Sequence, residues 1–307
     1  MKASRLAFGI AITTIALSAD MSADQQLGAQ VRTKETFGYG ELVTTIKLST
    51  EPGIVNGFFM LKFHPGPNPD DWSWGWTEID YEYVPGNNDA WRRTAEGSCG
   101  PNGAPCTIAN LGNQSAADFI SVNIIGGPLT GGPAPDSQVF YKLSKPYLAS
   151  ANTYRFYFTP GQVDWTADGV NSNKPFMYQI SGANNSDIHE SLGLKYLTDR
   201  KMFIWINCYS GLGYNGSFGG TGVIPRNNTE MVVEKVEFFP LINGRIAPYT
   251  TMYSDFKNGA YTVNNNPSSF DAIWLNEDSN KNPIYTRAAN ASVVPGKGLV
   301  MKYTYTP

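Results

Sequence analysis

Residues 76 to 82 read Trp76-Thr77-Glu78-Ile79-Asp80-Tyr81-Glu82. In a β-strand alternate side chains leave on opposite faces, so Glu78, Asp80 and Glu82 share one side and Ile79 and Tyr81 the other. Like charges crowded on one face repel, and each carboxylate raises the pKa of the next. The pattern implies a buried face on one side and a working cleft on the other. The alternative is a solvated edge strand with chance alternation.

Working outward, strand-like runs recur at 40–48, 55–63, 119–125, 139–143, 153–158, 162–166, 201–209 and 231–239. Turn signals separate them, such as Pro85-Gly86-Asn87-Asn88, Thr159-Pro160-Gly161 and Asp168-Gly169. No sustained 3.6-residue pattern, repeat or heptad interrupts them. The fold expected is all-β, an antiparallel β-sandwich or jelly roll with a concave cleft. The polar, turn-rich segment 84–118 reads as an insertion loop.

The chain has 307 residues, long enough for one large all-β domain. Its 31 Gly, 20 Pro and 13% aromatic residues suit many short strands joined by turns. Net charge is −3 without a long basic run, which argues against nucleic acid and anionic membrane as partners. Lys2, Arg5, the apolar stretch Leu6 to Leu17 and the small residues around Ser18 to Ala23 predict a cleaved secretory signal over 1–23. That stretch falls short of the roughly 20 residues of a membrane span. A secreted protein spanning 24–307 is expected.

In an oxidising compartment Cys99 and Cys106 can bridge across their turn-rich loop, while Cys208, in an apolar run, is expected as a buried free thiol. With only His64 and His189, a zinc site or a His-assisted nucleophile has little material. The Gly-rich stretches 126–132 and 216–222 lack phosphate-loop spacing and read as turns.

A pair of Glu residues on one face suits glycosidic-bond chemistry, which needs one carboxylate and one carboxylic acid. Along a strand the α-carbons of Glu78 and Glu82 are about 13 Å apart. A retaining mechanism wants the carboxyl groups about 5–5.5 Å apart. Two Glu side chains leaning together close much of that gap, with the shorter Asp80 placed to tune a neighbour.

Tyr39-Gly-Glu-Leu-Val43, Pro52-Gly-Ile-Val-Asn-Gly-Phe-Phe59, the acidic segment, Asn152-Thr-Tyr-Arg-Phe156 and Val163-Asp-Trp-Thr-Ala-Asp-Gly169 follow one another in an order that resembles glycoside hydrolase family 16, in its lichenase-like branch. The likeness continues through Ile206-Asn-Cys-Tyr-Ser210 and Val233-Glu-Lys-Val-Glu-Phe238. The unbulged Glu-x-Asp-x-Glu spacing favours the lichenase or transglycosylase branches. Little room is left for the strands that usually precede the Tyr-Gly segment. The tail, with Tyr253 to Gly259, Phe270 to Trp274 and Gly298 to Tyr305, resembles that missing beginning. Residues 251–307 are therefore expected to complete one circularly permuted domain, the alternative being a small separate C-terminal domain.

The resemblance implies a retaining endo-β-glucanase acting on β-1,3-1,4-glucan or β-1,3-glucan. Glu78 is then the nucleophile, Glu82 the acid/base and Asp80 the helper. A cell-wall transglycosylase and a non-catalytic glucan-binding protein are the alternatives. Glucan binding is expected from the aromatics Trp76, Trp165, Tyr209 and Phe218, with Trp72 and Trp74, and from the polar Asn56, Ser121, Asn123 and Asn207. Ser121 stands where lichenases typically carry Gln, Tyr209 replaces a usual Trp, and Phe218 falls where another cleft Trp is common. The resemblance implies no required cofactor and a monomer. It places a structural calcium ligand at Glu234.

Overall fold

The computed structural model describes residues 28–63, 76–85, 119–126, 139–142, 145–160, 162–167, 178–181, 201–210, 225–276 and 290–305. The signal-like start, Trp72, Trp74, Cys99, Cys106, Phe218, both histidines and nearly all of the 84–118 insertion lie outside the described residues. Among the described residues, no helix is long and apolar enough to cross a membrane.

The chain folds as a β-sandwich of jelly-roll type built from two antiparallel sheets. The strands that carry the acids and their neighbours are β1 (Ala29–Thr33), β3 (Ile54–Phe63), β4 (Trp76–Tyr83), β5 (Phe119–Gly126), β6 (Val139–Lys142) and, later in the chain, Phe203–Ser210. The second layer uses β2 (Gly40–Lys47), β7 (Asn152–Phe158), β8 (Gln162–Ala167) and β9 (Tyr178–Ser181). Counting on, Phe203–Ser210 is β10, Thr229–Ile242 is β11, and Arg245–Ile246 is β12. The tail adds β13 (Met252–Asp255), β14 (Ala260–Val263), β15 (Asn266–Pro267), β16 (Trp274–Asn276), β17 (Ala291–Val294) and β18 (Gly298–Tyr303). Among the described residues two single-turn helices, α1 (Lys145–Leu148) and α2 (Phe270–Ile273), connect strands.

The first sheet runs β16-β1-β10-β3-β4-β5-β6, with β4 flanked on both sides. The second runs β15-β14-β13-β11-β2-β7-β8-β9, with β18 also on β11 and β17 on β18. Between the sheets lies the apolar core. It takes Ile79, Tyr81 and Tyr83 from β4, Phe58 and Met60 from β3, and Ile204, Ile206 and Cys208 from β10. Leu42, Ile46, Tyr154, Phe156, Phe158, Val163 and Trp165 answer from the second sheet. Period-two alternation explains both sides, since each strand sends every second residue inward.

Three findings differ from the sequence-based expectation. A strand does precede the Tyr-Gly segment: β1 pairs with β10 and with β16 of the tail. Strand β11 runs past both expected ends and carries an irregularity between Val233 and Lys235. Upstream of it β11 pairs with β18, and downstream with β13, so one strand edge serves two partners end to end. Part of the tail is helical, because Phe270–Ile273 forms α2 before β16 begins. Cys208 is a buried free thiol, and burial pushes its pKa up to about 12.

Candidate active site

Because Ile79, Tyr81 and Tyr83 enter the core, the acids of β4 leave on the outer face of the first sheet. Glu78 and Glu82 are partly exposed there, while Asp80 between them is fully buried. Burial first, and the neighbouring Glu78 charge second, raise the Glu82 pKa to about 8. At neutral pH that group holds its proton. It is a carboxylic acid placed beside another glutamate four residues away.

Backbone register shows what shares this face. Glu82 lies opposite Gly57, which lies opposite Asn207; on its other side Glu82 meets Ser121. Asp80 is in a row with Phe59, Trp205 and Asn123. Glu78 is in a row with Leu61, Phe203 and Ile125. Beside the acids Phe59, Leu61 and Trp205 form a second, smaller apolar cluster with Phe203 at its border. The Phe59 and Trp205 rings are stacked, with centroids 6.2 Å apart, and the Trp205 indole donates to the Leu61 carbonyl. The Arg32 guanidinium lies 4.5 Å from the centre of the Phe203 ring, over its face.

Asn207 is buried, and its Oδ1 would sit 2.4 Å from a β-carbon added at Gly57. Glycine at 57 therefore lets the Asn207 amide lean over β3 toward Glu82. That amide oxygen has no hydrogen-bond partner among the described residues. Tyr209 is also on the outer face, two residues on, and packs under the backbone of Gly28. Trp76, Ser121 and Asn123 are placed by register on β4 and β5.

Two residues expected at the cleft point the other way. Asn56 is fully buried on the core side, where its Nδ2 donates to the carbonyls of Tyr83 and Ser49, both at 3.1 Å. Its Oδ1 accepts from the Ser49 amide at 2.7 Å, so the side chain is spent on clamping three chain segments. Trp165 is likewise fully buried between the sheets, and its indole donates to the backbone carbonyl of Asp80 at 3.0 Å. Neither side chain reaches a sugar. Glu234, the expected calcium ligand, accepts through Oε1 from the Lys257 ammonium at 3.1 Å. Among the described residues no group of three His, Cys, Asp or Glu side chains could hold a metal ion.

Trp205 and Phe203 carry no motif signal, and Gly57 and Phe59, though inside the Pro52–Phe59 segment, are not marked by it as site residues. Parity along β10 is the signal that finds the first, because Phe203, Trp205, Asn207 and Tyr209 alternate with core residues.

Residues 9–96 match a family model described as Glycosyl hydrolases family 16, a stretch that includes all three acids of β4. No curated protein matches the chain. Among solved structures it is similar to a beta-glucanase of Bacillus licheniformis, at 19% identity over 68% of this chain and 70% of that one, with a TM-score of 0.40. It is similar also to the laminarinase catalytic domain of Thermotoga maritima, at 16% identity over 72% and 82%, with a TM-score of 0.44. A third is the Crh5 transglycosylase in complex with NAG, at 16% identity over 73% and 72%, with a TM-score of 0.41.

Proposed function

We propose that this chain is a secreted, retaining glycoside hydrolase of family 16 that cleaves β-1,3-1,4-glucan or β-1,3-glucan internally. The observation that carries the reading is the pair of glutamates on one strand face, one of them with its pKa raised to about 8. Glu78 attacks the anomeric carbon. Glu82 gives its proton to the departing glycosidic oxygen, and the glycosidic bond breaks as the Glu78 ester forms. With its proton gone, Glu82 becomes the base that takes a proton from water, and the ester is hydrolysed with net retention. Asp80 stands between them on the same strand face as the helper carboxyl. Gly57 and Asn207 offer a polar slot beside the acid, and Phe59, Leu61 and Trp205 an apolar wall.

The family's usual order is proposed to be permuted here, with the tail standing in for its first strands. The pairing of β13 and β18 with β11, and of β16 with β1, supports that reading.

Product analysis with lichenan, laminarin and xyloglucan tests the substrate, since new reducing ends report hydrolysis and lengthened chains report transfer. Glu78→Gln and Glu82→Gln are each expected to lower turnover by at least about 10³-fold while leaving the fold intact. Azide should restore activity to the Glu82 variant and give a β-glycosyl azide. Rescue of the Glu78 variant with an α-azide would exchange the two roles, and a wild type inert on every glucan would reduce the chain to a binding protein.

A further inference from the structure

Strand β4 is held from beneath by two side chains whose hydrogen bonds run in opposite directions between the sheets. The Trp165 indole of β8 donates up to the Asp80 carbonyl at 3.0 Å. Tyr81, the next residue of β4, sends its hydroxyl down to the Thr166 carbonyl at 2.6 Å, with the Arg155 carbonyl at 3.1 Å. Consecutive residues of one strand are thus tied to consecutive residues of the other, through side chains that are both fully buried. Thr166 and Arg155 are themselves paired across β7 and β8, so the anchor is a ladder position rather than a loop.

The rings are fixed as well as the polar atoms. Tyr81 stacks on Phe58 at 4.7 Å and tilts against Phe156 at 4.8 Å, and Trp165 meets Phe156 edge-on at 6.5 Å. Leucine or phenylalanine at 81 and 165 would fill similar space without directional demands. A buried indole N–H and phenol O–H must find acceptors, and so they specify the distance between the layers at this point.

The point chosen is informative. Asp80 stands midway between Glu78 and Glu82, whose α-carbons are about 13 Å apart on a straight strand. A strand drawn down at its midpoint bends so that side chains on its upper face tilt toward one another. We propose that Trp165 and Tyr81 are positioning residues that hold the middle of β4 against the opposing sheet and so set the separation of the Glu78 and Glu82 carboxyl groups. The inference rests on the glycosidase reading for its consequence in catalysis, though not for the geometry.

Tyr81→Phe removes only the hydroxyl, and Trp165→Phe removes the N–H while keeping an aromatic ring. Titration of the full-length protein with carbon-13-labelled glutamate reads Glu82 without any substrate. On the strands of its face the described charged side chains are Glu78, Asp80 and Arg32. Burial raises the Glu82 pKa most and the Glu78 charge next, so a loosened strand that admits water or parts the two glutamates lowers it. Both variants are expected to titrate Glu82 lower than wild type, by about half a pH unit or more. Their kcat should fall about 10- to 100-fold with KM nearly unchanged, because roughly 1 Å of misplacement costs up to that much. A lowered melting temperature with Glu82 titration and kcat both as in wild type would overturn the proposal and leave ordinary core packing. If the wild type turns over no glucan, the functional reading fails and the Glu82 titration alone decides the tether.

Discussion

Glu82 carries the sharpest consequence at the residue scale. Its folded pKa, about 8, lies above the ordinary value of 4.5, so the folded chain holds a proton that the unfolded chain releases. The stability linked to this proton is complete below about 4.5 and is lost as pH rises through about 8. Activity should fall over the same alkaline limb, since an ionised Glu82 cannot protonate the leaving oxygen. Melting curves from pH 5 to 9 should therefore show a decline that Glu82→Gln flattens, and a decline of equal size in that variant would sink the assignment. Gly57 makes a second point. Gly57→Ala puts a methyl group 2.4 Å from the present position of Asn207 Oδ1, so the amide must swing away from Glu82. We expect KM on glucan oligomers to rise about tenfold, the effect of roughly 1.4 kcal/mol of lost binding, with kcat little altered. Unchanged KM in a well-folded Gly57→Ala protein would remove Asn207 from the substrate slot.

Among the elements, β4 was readable from its own residues and β1 was not. Glu78 to Tyr83 alternates without a fault, and alternation is the strand's own geometry. Ala29-Gln-Val-Arg-Thr33 gains its place only by lying between β10 and β16, and β16 is more than 240 positions away in the chain. Side preference follows the same division. Parity within β4 puts its acids on one face, but an aromatic such as Trp165 declares its face only when the partner sheet is known. Asn56 shows the cost of reading polarity as exposure, for it is a clamp between the end of β2, β3 and β4. Asn56→Ala strands the buried Ser49 amide and removes donors to three carbonyls. Each unsatisfied buried group costs about 1–3 kcal/mol, so a loss of about 2–4 kcal/mol is expected in thermal unfolding. A loss under about 0.5 kcal/mol would mean that water replaces the clamp.

For the whole molecule the decisive segment is the tail. Strands β13 and β18 cover one edge of β11, and β16 covers the free edge of β1, so residues 251–305 contribute to both sheets. Met252, Phe256, Trp274, Leu299 and Met301 from this segment are buried in the common core, with Phe270 packed against it. Losing several such side chains at about 2–5 kcal/mol each exceeds the roughly 5–15 kcal/mol by which a domain is stable. Removal also bares the backbone of β11 along two stretches, a template for aggregation. A chain ended after Asn243 is expected to be insoluble or unfolded. Returning the same segment in front of residue 28 through a short linker should restore a soluble protein, because the strands regain their partners whatever their order along the chain. Circular dichroism and a cooperative melt of the two proteins separate the cases. A truncated chain that stays soluble and melts as the full one does would make the tail an accessory of the sandwich, and the permuted order would fall with it.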